Sequence, residues 1–525
     1  MISILNGSYT GTPSGYAMFI GYPLGWFISR LYATGIAICW YKWTLMGCAL
    51  LSLASVLYRL YQRFPAQKLL STAAVLGGCS FLWLPRIMHA SYTYFAALAM
   101  ACTILSYGIQ KAEDDTKPGY LTNLLLQFLL SYQLRDFFGY IIVPFLGVLW
   151  LQKHWGTLTS NRACWLVPLS GLLCLGLSVG TARIAYSGEW EAFYTHNNQR
   201  SYLQDFNHFP DYQENQDDIT SLGLTREEYK TLSRYTYLMI GDMKPEIISA
   251  LYDYAKSQES APSEGMLSRT LSRTANTYFS ANLTPLRLGS YLAPAVLLLA
   301  GLVVWRKKGW LTFLPVLLLL GGCVRLWLLL CYVGRTPERV VLSLRLLTIS
   351  APIAGCLTLL GRHPLEWNPP RGRRAVSLVL SGAMVLLCLW GGMRALDSQS
   401  GRKNPRTDYL LYAQQHPEDI FIRDIKSTVS GNTGLLLEFP RTPVNMLSTG
   451  GWVVFSPLYQ QKLAAPGLSQ VNRSLLLEDN VYLLVNLDRF NLQQVLGLPG
   501  STPIDYQVAE QFQRDLSMVK INSIG

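Results

Sequence analysis

The chain has 525 residues, half of them hydrophobic and only 14% charged, and its mean hydropathy is +0.21. This composition excludes a string of soluble domains, a fibrous or disordered chain and a disulfide-rich secreted protein. The acids are concentrated in two segments, with 14 of the 32 in residues 184–284 and 12 in residues 395–525. The rest of the chain holds 6 acids and 25 lysines and arginines. We therefore predict a polytopic membrane protein, mainly α-helical, that carries two polar segments.

Residues 1–39 are predicted to contain an interfacial helix. Residues 16–34 are too rich in glycine and proline for a signal anchor. They carry aromatic side chains that suit a membrane surface, namely Phe19, Tyr22, Trp26 and Phe27. No basic stretch followed by an apolar stretch precedes them. We expect that the segment is translocated unaided or, preferably, that an upstream span is missing from this sequence.

Ten apolar stretches come close to the roughly 20 residues that cross a bilayer core. They form a six-span block in residues 40–183 and a four-span block in residues 285–394. The predicted spans are residues 40–61, 69–87, 91–110, 119–134, 137–152, 164–183, 289–305, 310–333, 340–361 and 375–394. One helix through residues 119–152 would be about 51 Å long. We therefore predict a tight turn at Arg135 and Asp136.

Loop charges predict the orientation of these spans. With residues 1–39 outside, the inner loops carry 13 lysines and arginines, whereas the short outer loops carry 3. Because positive loops stay in the cytoplasm, residues 1–39, 184–284 and 395–525 are expected on the extracytoplasmic face. The basic residues lie at the ends of apolar stretches, so membrane topology explains them better than nucleic-acid binding.

The two polar segments differ in their predicted structure. Residues 184–284 are expected to be largely helical, with a capping box at Thr225 and Glu228. Residues 395–525 are expected to form a small α/β domain. Its helices are "TDYLLYAQQH" and "FNLQQVLGL", its strands are "DIFIRD", "GLLLEF" and "NVYLLVNL", and "VAEQFQRDLSMVKI" is a helix or a strand. In "STGGWVVFSP" the two glycines predict a turn beside Trp452, which faces a sugar or the membrane or is purely structural.

Several signatures of catalysis are absent from the sequence. It has no GxxxxGK[ST] stretch for ATP, no HExxH or Cys/His cluster for zinc, and no GxSxG elbow. The sequence assigns no cofactor, and it leaves a requirement for a divalent metal open.

Arginines stand at the outer ends of the spans. They are Arg86, Arg135, Arg335 and Arg339, while Arg325 lies within the eighth span. A charge inside a span needs an interior partner or a function. Since the planar guanidinium suits bidentate contacts to phosphate, the four outer arginines are candidate ligands of a lipid-linked phosphate. Alternatively they pair with Asp136 and Glu338, or reach the lipid headgroups.

This architecture, with an outer N-terminal segment, many spans and a terminal outer α/β domain, resembles the GT-C class of glycosyltransferases. The chain is also similar to a group of uncharacterised polytopic proteins from gut Firmicutes in which "GxYTGTP" and "GRxPxRV" recur. Here these stretches are residues 7–13 and 334–340. The resemblance implies a bacterial cytoplasmic membrane protein and a polyprenyl-phosphate sugar as donor. It also implies a catalytic carboxylate in the first external loop.

The sequence departs from that pattern at the carboxylate. Residues 1–112 contain no acid, and the first one is Glu113. A base would then have to be Asp136, Asp205 or Glu338, with Asp136 and Asp205 preferred. We expect a glycosyltransferase that transfers a sugar to a cell-envelope glycan or lipid-linked acceptor, with membrane lipid as its surroundings. The alternatives are a transporter or flippase of lipid-linked glycans and a non-catalytic envelope scaffold.

Overall fold

The protein is described by a computed structural model, mostly helical with one small sheet near the C-terminal end. The described residues are 1–157, 162–206, 208–240, 243–258, 266–279, 284–334, 336–362, 373–400, 408–427, 441–512 and 516–525. The predicted fold class is confirmed to this extent: most of the described chain is helical, eight of its helices are long and apolar enough to cross a membrane, and its sheet lies in the C-terminal segment.

The N-terminal segment contains the helices α1 (Ile2–Leu5) and α2 (Tyr22–Ala33). The predicted interfacial helix is therefore shorter than residues 16–34. It begins only at Tyr22 because the backbone N–H of Gly21 donates to the carbonyl of Gln133, at 2.6 Å. Trp26 and Phe27 are about half exposed, as expected for a helix that lies on a surface.

The helices of the two apolar blocks begin and end close to the predicted spans. The first block consists of α3 (Trp40–Arg63), α4 (Lys68–Leu82), α5 (Leu84–Ile87), α6 (Tyr92–Ile109), α7 (Pro118–Leu134), α8 (Asp136–His154) and α9 (Leu166–Ala185). Within the described residues, eight helices of the protein are long and apolar enough to cross a membrane, whereas α4 and α7 are shorter. The number of ten spans stays a prediction.

Two breaks divide the first block. Arg135 has extended backbone angles (φ −163°, ψ 108°), so α7 and α8 are separate helices, which confirms the predicted turn. The predicted span at residues 69–87, in contrast, is divided at Trp83. The indole Nε1 of Trp83 donates to the carbonyl of Tyr94, at 3.1 Å, and Pro85, which has no N–H, follows within the first turn of α5.

The polar segment between the blocks is largely helical, as predicted. It contains α10 (Glu189–Arg200), α11 (Gln216–Ser221), α12 (Arg226–Ser233), α13 (Pro245–Ser257) and α14 (Met266–Tyr278). The capping box at the start of α12 is confirmed, because Glu228 N donates to Thr225 Oγ1 at 3.2 Å and Thr225 N donates to Glu228 Oε2 at 3.1 Å.

The second block packs against the first around two central helices. It consists of α15 (Pro285–Lys308), α16 (Leu314–Tyr332), α17 (Glu338–Arg362) and α18 (Arg373–Ser400). Almost every side chain of α6 and the stretch Leu342–Pro352 of α17 are buried. In contrast, α9 exposes most of its leucines, which is typical of an apolar helix that faces lipid.

The C-terminal segment forms the predicted small α/β domain. Its elements are α19 (Asp408–Gln415), β1 (Ile420–Arg423), β2 (Met446–Ser448), α20 (Pro457–Ala464), β3 (Val481–Val485), α21 (Leu492–Leu496), β4 (Ile504–Phe512) and β5 (Leu516–Ile524). The strand order is β2-β1-β3-β5-β4, with β2, β1 and β3 parallel and the other pairs antiparallel. Residues 508–521 contribute to two strands rather than one element, and the predicted strand "GLLLEF" lies outside the described residues.

One core joins this sheet to the polar segment between the blocks. Strand side chains alternate between the two faces of a sheet. Phe421 of β1 packs against α19, while Ile422 lies in a core with Leu203, Ile248 and Leu251 from residues 184–284. Ile4 of the N-terminal segment also packs with Trp190 and Leu458. The two polar segments and the N-terminal segment therefore form one layer at the end of the bundle, which we call the outer layer.

Candidate functional site

The N-terminal segment, the turn at Arg135 and the C-terminal domain meet at one end of the bundle. The Arg135 guanidinium lies 5.8 Å from the ring centre of Phe19 and 5.9 Å from that of Tyr92. Phe19 and Tyr92 are nearly parallel, and the Trp452 ring meets Phe19 edge-on at 4.8 Å. We call Phe19, Tyr92, Arg135, Asp136 and Trp452 the outer junction. Its cation and half-buried rings come from segments that are far apart in the sequence.

The two glycines before Trp452 serve packing. A Cβ on Gly450 would lie 1.7 Å from the carbonyl oxygen of Tyr235, so no other residue fits there without backbone movement. The carbonyl of Gly451 accepts a short hydrogen bond from the hydroxyl of Tyr237. The turn thus fixes the C-terminal domain to residues 184–284 and directs Trp452 towards Phe19.

Asp136 is the exposed carboxylate of the outer junction. It is the first residue of α8, and its Oδ1 accepts a hydrogen bond from Phe137 N at 2.8 Å. Burial, and secondly the charge of Asp136, raises the pKa of Tyr194 on α10. The Asp136 carboxylate therefore faces the side of the bundle on which α10 lies.

Asp205 lies elsewhere in the outer layer and is held by several donors. Its carboxylate accepts a short hydrogen bond from the Tyr235 hydroxyl and one of 2.8 Å from Ser201 Oγ, and Arg200 Nη2 lies 3.5 Å away. The side chain is only 19% exposed. These contacts fix the loop between α10 and α11.

The other candidate arginines are spread over the bundle. Arg86 Nη1 is 3.4 Å from Glu338 Oε1, so one of the expected outer ion pairs is present. Arg339 is exposed on the first turn of α17, and no contact between described residues joins it or Arg86 to Arg135. Arg325 is exposed on α16, and Arg335 lies outside the described residues.

Comparison with known proteins leaves this site without a counterpart. No family model, no curated protein and no solved structure matches this chain. Within the described residues, no group of three or more His, Cys, Asp or Glu side chains could hold a metal ion. The chemistry of the site therefore has to be inferred from its own residues.

A second feature at this end of the bundle is a cleft of about 740 Å³ between α14 and α16. It is lined by Arg269 and Arg273, by hydroxyl and amide side chains of α14, and by Cys331 and Tyr332. Arg273 Nη1 donates to the carbonyl of Cys331 at 3.4 Å, and it would lie 3.2 Å from a Cβ on Gly334. The cleft therefore opens beside Gly334.

The arginines of this cleft could have been found in the sequence. "LSRTLSRT" places Arg269 and Arg273 four residues apart, which is the spacing of neighbours on one helix face. Arg345 could have been found as well, since it stands in an apolar span as Arg325 does.

Arg345 fixes α14 to the bundle. Its Nη2 donates to the carbonyls of Thr277 and Tyr278, at 2.9 and 2.8 Å, and its Nη1 donates to Ser290 Oγ at 3.1 Å. The guanidinium carbon also lies 5.3 Å from the ring centres of Tyr278 and Trp327. A fully buried cation thus holds the last turn of α14, which forms one wall of the cleft.

Proposed function

We propose that the protein is a membrane glycosyltransferase of the GT-C type. It transfers a sugar from a polyprenyl-phosphate carrier to a cell-envelope glycan or lipid-linked acceptor on the extracytoplasmic face. The observation that carries the proposal is the outer junction, where an arginine and three aromatic rings meet at an end of the bundle and the next residue is an exposed carboxylate. In this assignment Arg135 contacts the carrier phosphate, Asp136 contacts the acceptor hydroxyl, and the aromatic rings pack against the sugar ring.

The transfer requires a base and a stabilised leaving group. The acceptor oxygen attacks the anomeric carbon while its proton passes to the Asp136 carboxylate. The bond from the anomeric carbon to the phosphate oxygen breaks, and the electron pair leaves with the carrier phosphate. Arg135 stabilises this phosphate, and the arginines of the α14–α16 cleft are a second cationic group at the same end. Asp136 suits the role of base better than Asp205, because the Asp205 oxygens are already held by Ser201 and Tyr235.

Activity of the purified protein tests this assignment. The donor is a radiolabelled polyprenyl-phosphate hexose, and the acceptor is delipidated cell-envelope glycan. We expect Asp136→Asn and Arg135→Gln each to lower transfer by at least about 100-fold, in line with the loss of a catalytic base or of an electrostatic contact. Arg325→Gln is the matched control, since Arg325 is an exposed arginine on α16 that is not one of the junction residues. Equal losses in Arg135→Gln and Arg325→Gln would contradict the assignment.

The extracytoplasmic location is part of the proposal and has its own test. It is supported by the 13 basic residues of the inner loops against 3 in the short outer loops. Ser257 at the end of α13 and Ser501 before β4 are both exposed. Single cysteines at these positions, in a protein without its native cysteines, should both react with an impermeant thiol reagent in intact cells. If both cysteines react only in permeabilised cells, the two segments lie on the cytoplasmic face and the proposed orientation is wrong.

One observation favours the transporter alternative. Polar side chains of α3, α6 and α7 meet inside the bundle, where Gln127 Nε2 donates to Asn123 Oδ1 at 2.9 Å and contacts Ser55 and Ser106. Polar groups deep in several spans are typical of transport pathways. Transfer of a fluorescent lipid-linked glycan across vesicles without any glycosyl transfer would favour this function, and absence of both activities would favour the scaffold.

A further inference from the structure

A second charged cleft lies at the opposite end of the bundle from the outer junction. Tyr92 of the junction stands at the start of α6, and the cleft adjoins its last residues, about 27 Å away along an 18-residue helix. The cleft has a volume of about 450 Å³ and lies among the ends of α3, α6, α8 and α17. Its charged lining residues are Arg63, Lys111, Glu113, Lys153 and Arg362.

Two guanidinium groups converge on this cleft. A Cβ on Gly361 would lie 2.8 Å from Arg63 Nη2, so the glycine allows the Arg63 side chain to lie across the end of α17. Arg362 is held in place because its Nη1 donates to the carbonyl of Gln152 at 2.8 Å and its Nη2 donates to that of Trp155. Arg63 makes no hydrogen bond or ion pair with any residue in the described ranges. Its donors therefore remain available to a ligand.

Lys153 supplies a third cation from inside the bundle. Its side chain is 3% exposed, and its Nζ lies 3.6 Å from the ring centre of Tyr107 and 3.6 Å from Asp115 Oδ1. The Asp115 carboxylate already accepts hydrogen bonds of 2.8 Å from Tyr107 and Gln110, and His154 Nε2 lies at 2.8 Å. Within the described part of the chain, Lys153 Nζ makes no hydrogen bond. This buried ammonium is held by a carboxylate at 3.6 Å and an aromatic face, and its three N–H groups can also donate to an acceptor in the cleft.

The acids present do not balance these cations. Glu113 lines the cleft, but it lies 3.4 Å from Lys111 at the exposed rim. Among the described residues, the neighbouring Asp114 is paired with Lys117 at 2.7 Å, and Asp115 pairs with Lys153, whereas Arg63 and Arg362 make no ion pair. The alternative is that these basic residues serve membrane topology and bind nothing. In that case they should extend separately into solvent, because like charges repel. Their convergence favours a bound anion.

We propose that this inner cleft binds a phosphate group, at a site separate from the outer junction. Guanidinium forks match the geometry of phosphate oxygens, and basic pockets between the cytoplasmic ends of helices bind the headgroups of anionic lipids. The phosphate is carried by an anionic phospholipid of the inner leaflet or by a soluble phosphate ester. Both sources present the same chemistry to Arg63 and Lys153.

Thermal unfolding of the full chain in detergent micelles tests the proposal. Three additions are compared: phosphatidylglycerol, phosphatidylcholine, and inorganic phosphate at constant ionic strength. A ligand that binds the folded state raises the unfolding temperature as its concentration rises, and the midpoint of this response gives its affinity. We expect phosphatidylglycerol to stabilise the protein and phosphatidylcholine to have no effect. A comparable response to inorganic phosphate would assign the site to a soluble ester rather than to a lipid.

Variants separate the cleft from general surface charge. Arg63→Gln is expected to weaken phosphatidylglycerol binding by about ten- to a hundredfold, the loss of one charge-assisted contact. Arg306→Gln, at the exposed end of α15, removes the same charge outside the cleft and should change binding less than twofold. Lys111→Gln, at the exposed rim, provides a second cleft variant if Arg63→Gln does not fold. Equal effects of the cleft and control variants, or no response to any phosphate, would overturn the proposal.

Discussion

Replacement of Arg345 by leucine should release α14 from the bundle. The substitution removes three hydrogen bonds that the charged Arg345 side chain donates. The carbonyls of Thr277 and Tyr278 and the hydroxyl of Ser290 then lose this donor. A hydrogen bond to a charged group contributes about 1.5–3 kcal/mol to stability. We take about 3 kcal/mol, because the two carbonyls belong to the last turn of a partly exposed helix and can reach water. This corresponds to an increase of roughly 100-fold in the opening equilibrium of α14.

Hydrogen–deuterium exchange of the protein in detergent measures this opening directly. In Arg345→Leu, amides of residues 266–278 should exchange roughly 100-fold faster, while those of β3, in the separate C-terminal core, should keep their rates. Arg345→Lys should give an intermediate increase, since one ammonium cannot reproduce the fork that reaches both carbonyls. Arg325→Leu is the control for charge loss at an exposed site. Unchanged exchange of α14 in Arg345→Leu, or the same increase in Arg325→Leu, would refute the anchoring role.

Three further changes test the outer layer. Gly450→Ala would place a Cβ 1.7 Å from the Tyr235 carbonyl, so it should destabilise this layer by more than about 4 kcal/mol and make it sensitive to limited proteolysis. Burial, and secondly the charge of Arg200, lowers the pKa of His196 to about 4 from 6.5. His196 binds a proton more readily in the unfolded chain than in the folded one. The free energy of unfolding should therefore fall as the pH decreases from about 6.5 to about 4, and His196→Gln should flatten that dependence. Thr225→Ala should lower the free energy of unfolding, measured by chemical denaturation, by about 1 kcal/mol. Ser257→Ala changes a residue that caps no helix and should lower it by less than about 0.5 kcal/mol.

The local features of this fold could be predicted from the sequence because they depend on neighbouring residues. Apolar length determines where helices such as α3 and α17 begin and end, and the break at Arg135 follows from the length limit of a span. The capping box at Thr225 depends on two residues three positions apart. The divided second span was missed because hydropathy does not register the side-chain contact of Trp83 with Tyr94.

The candidate site could be predicted only in part because burial depends on how a helix is rotated. Arg325 and Arg345 both stand in apolar spans, and hydropathy treats them alike. Packing exposes Arg325 on α16 and buries Arg345 on α17 among aromatic rings. Likewise, Arg135 and Trp452 were each recognised as candidates, but no periodicity links them. Their meeting at Phe19 follows from the docking of the C-terminal domain on the N-terminal segment.

The outer layer, built from three segments, has a consequence for biogenesis. Trp190 stacks on Tyr16 at 4.2 Å, and Leu458 of the C-terminal domain completes the same apolar cluster. About 270 residues separate Trp190 from Leu458, and a ribosome adding about 5–20 residues per second needs roughly 13–54 s to make them. During that interval the aromatic surface of the nascent chain stays uncovered. We therefore expect the membrane surface or a bound factor to cover this surface until the C-terminal domain has been synthesised.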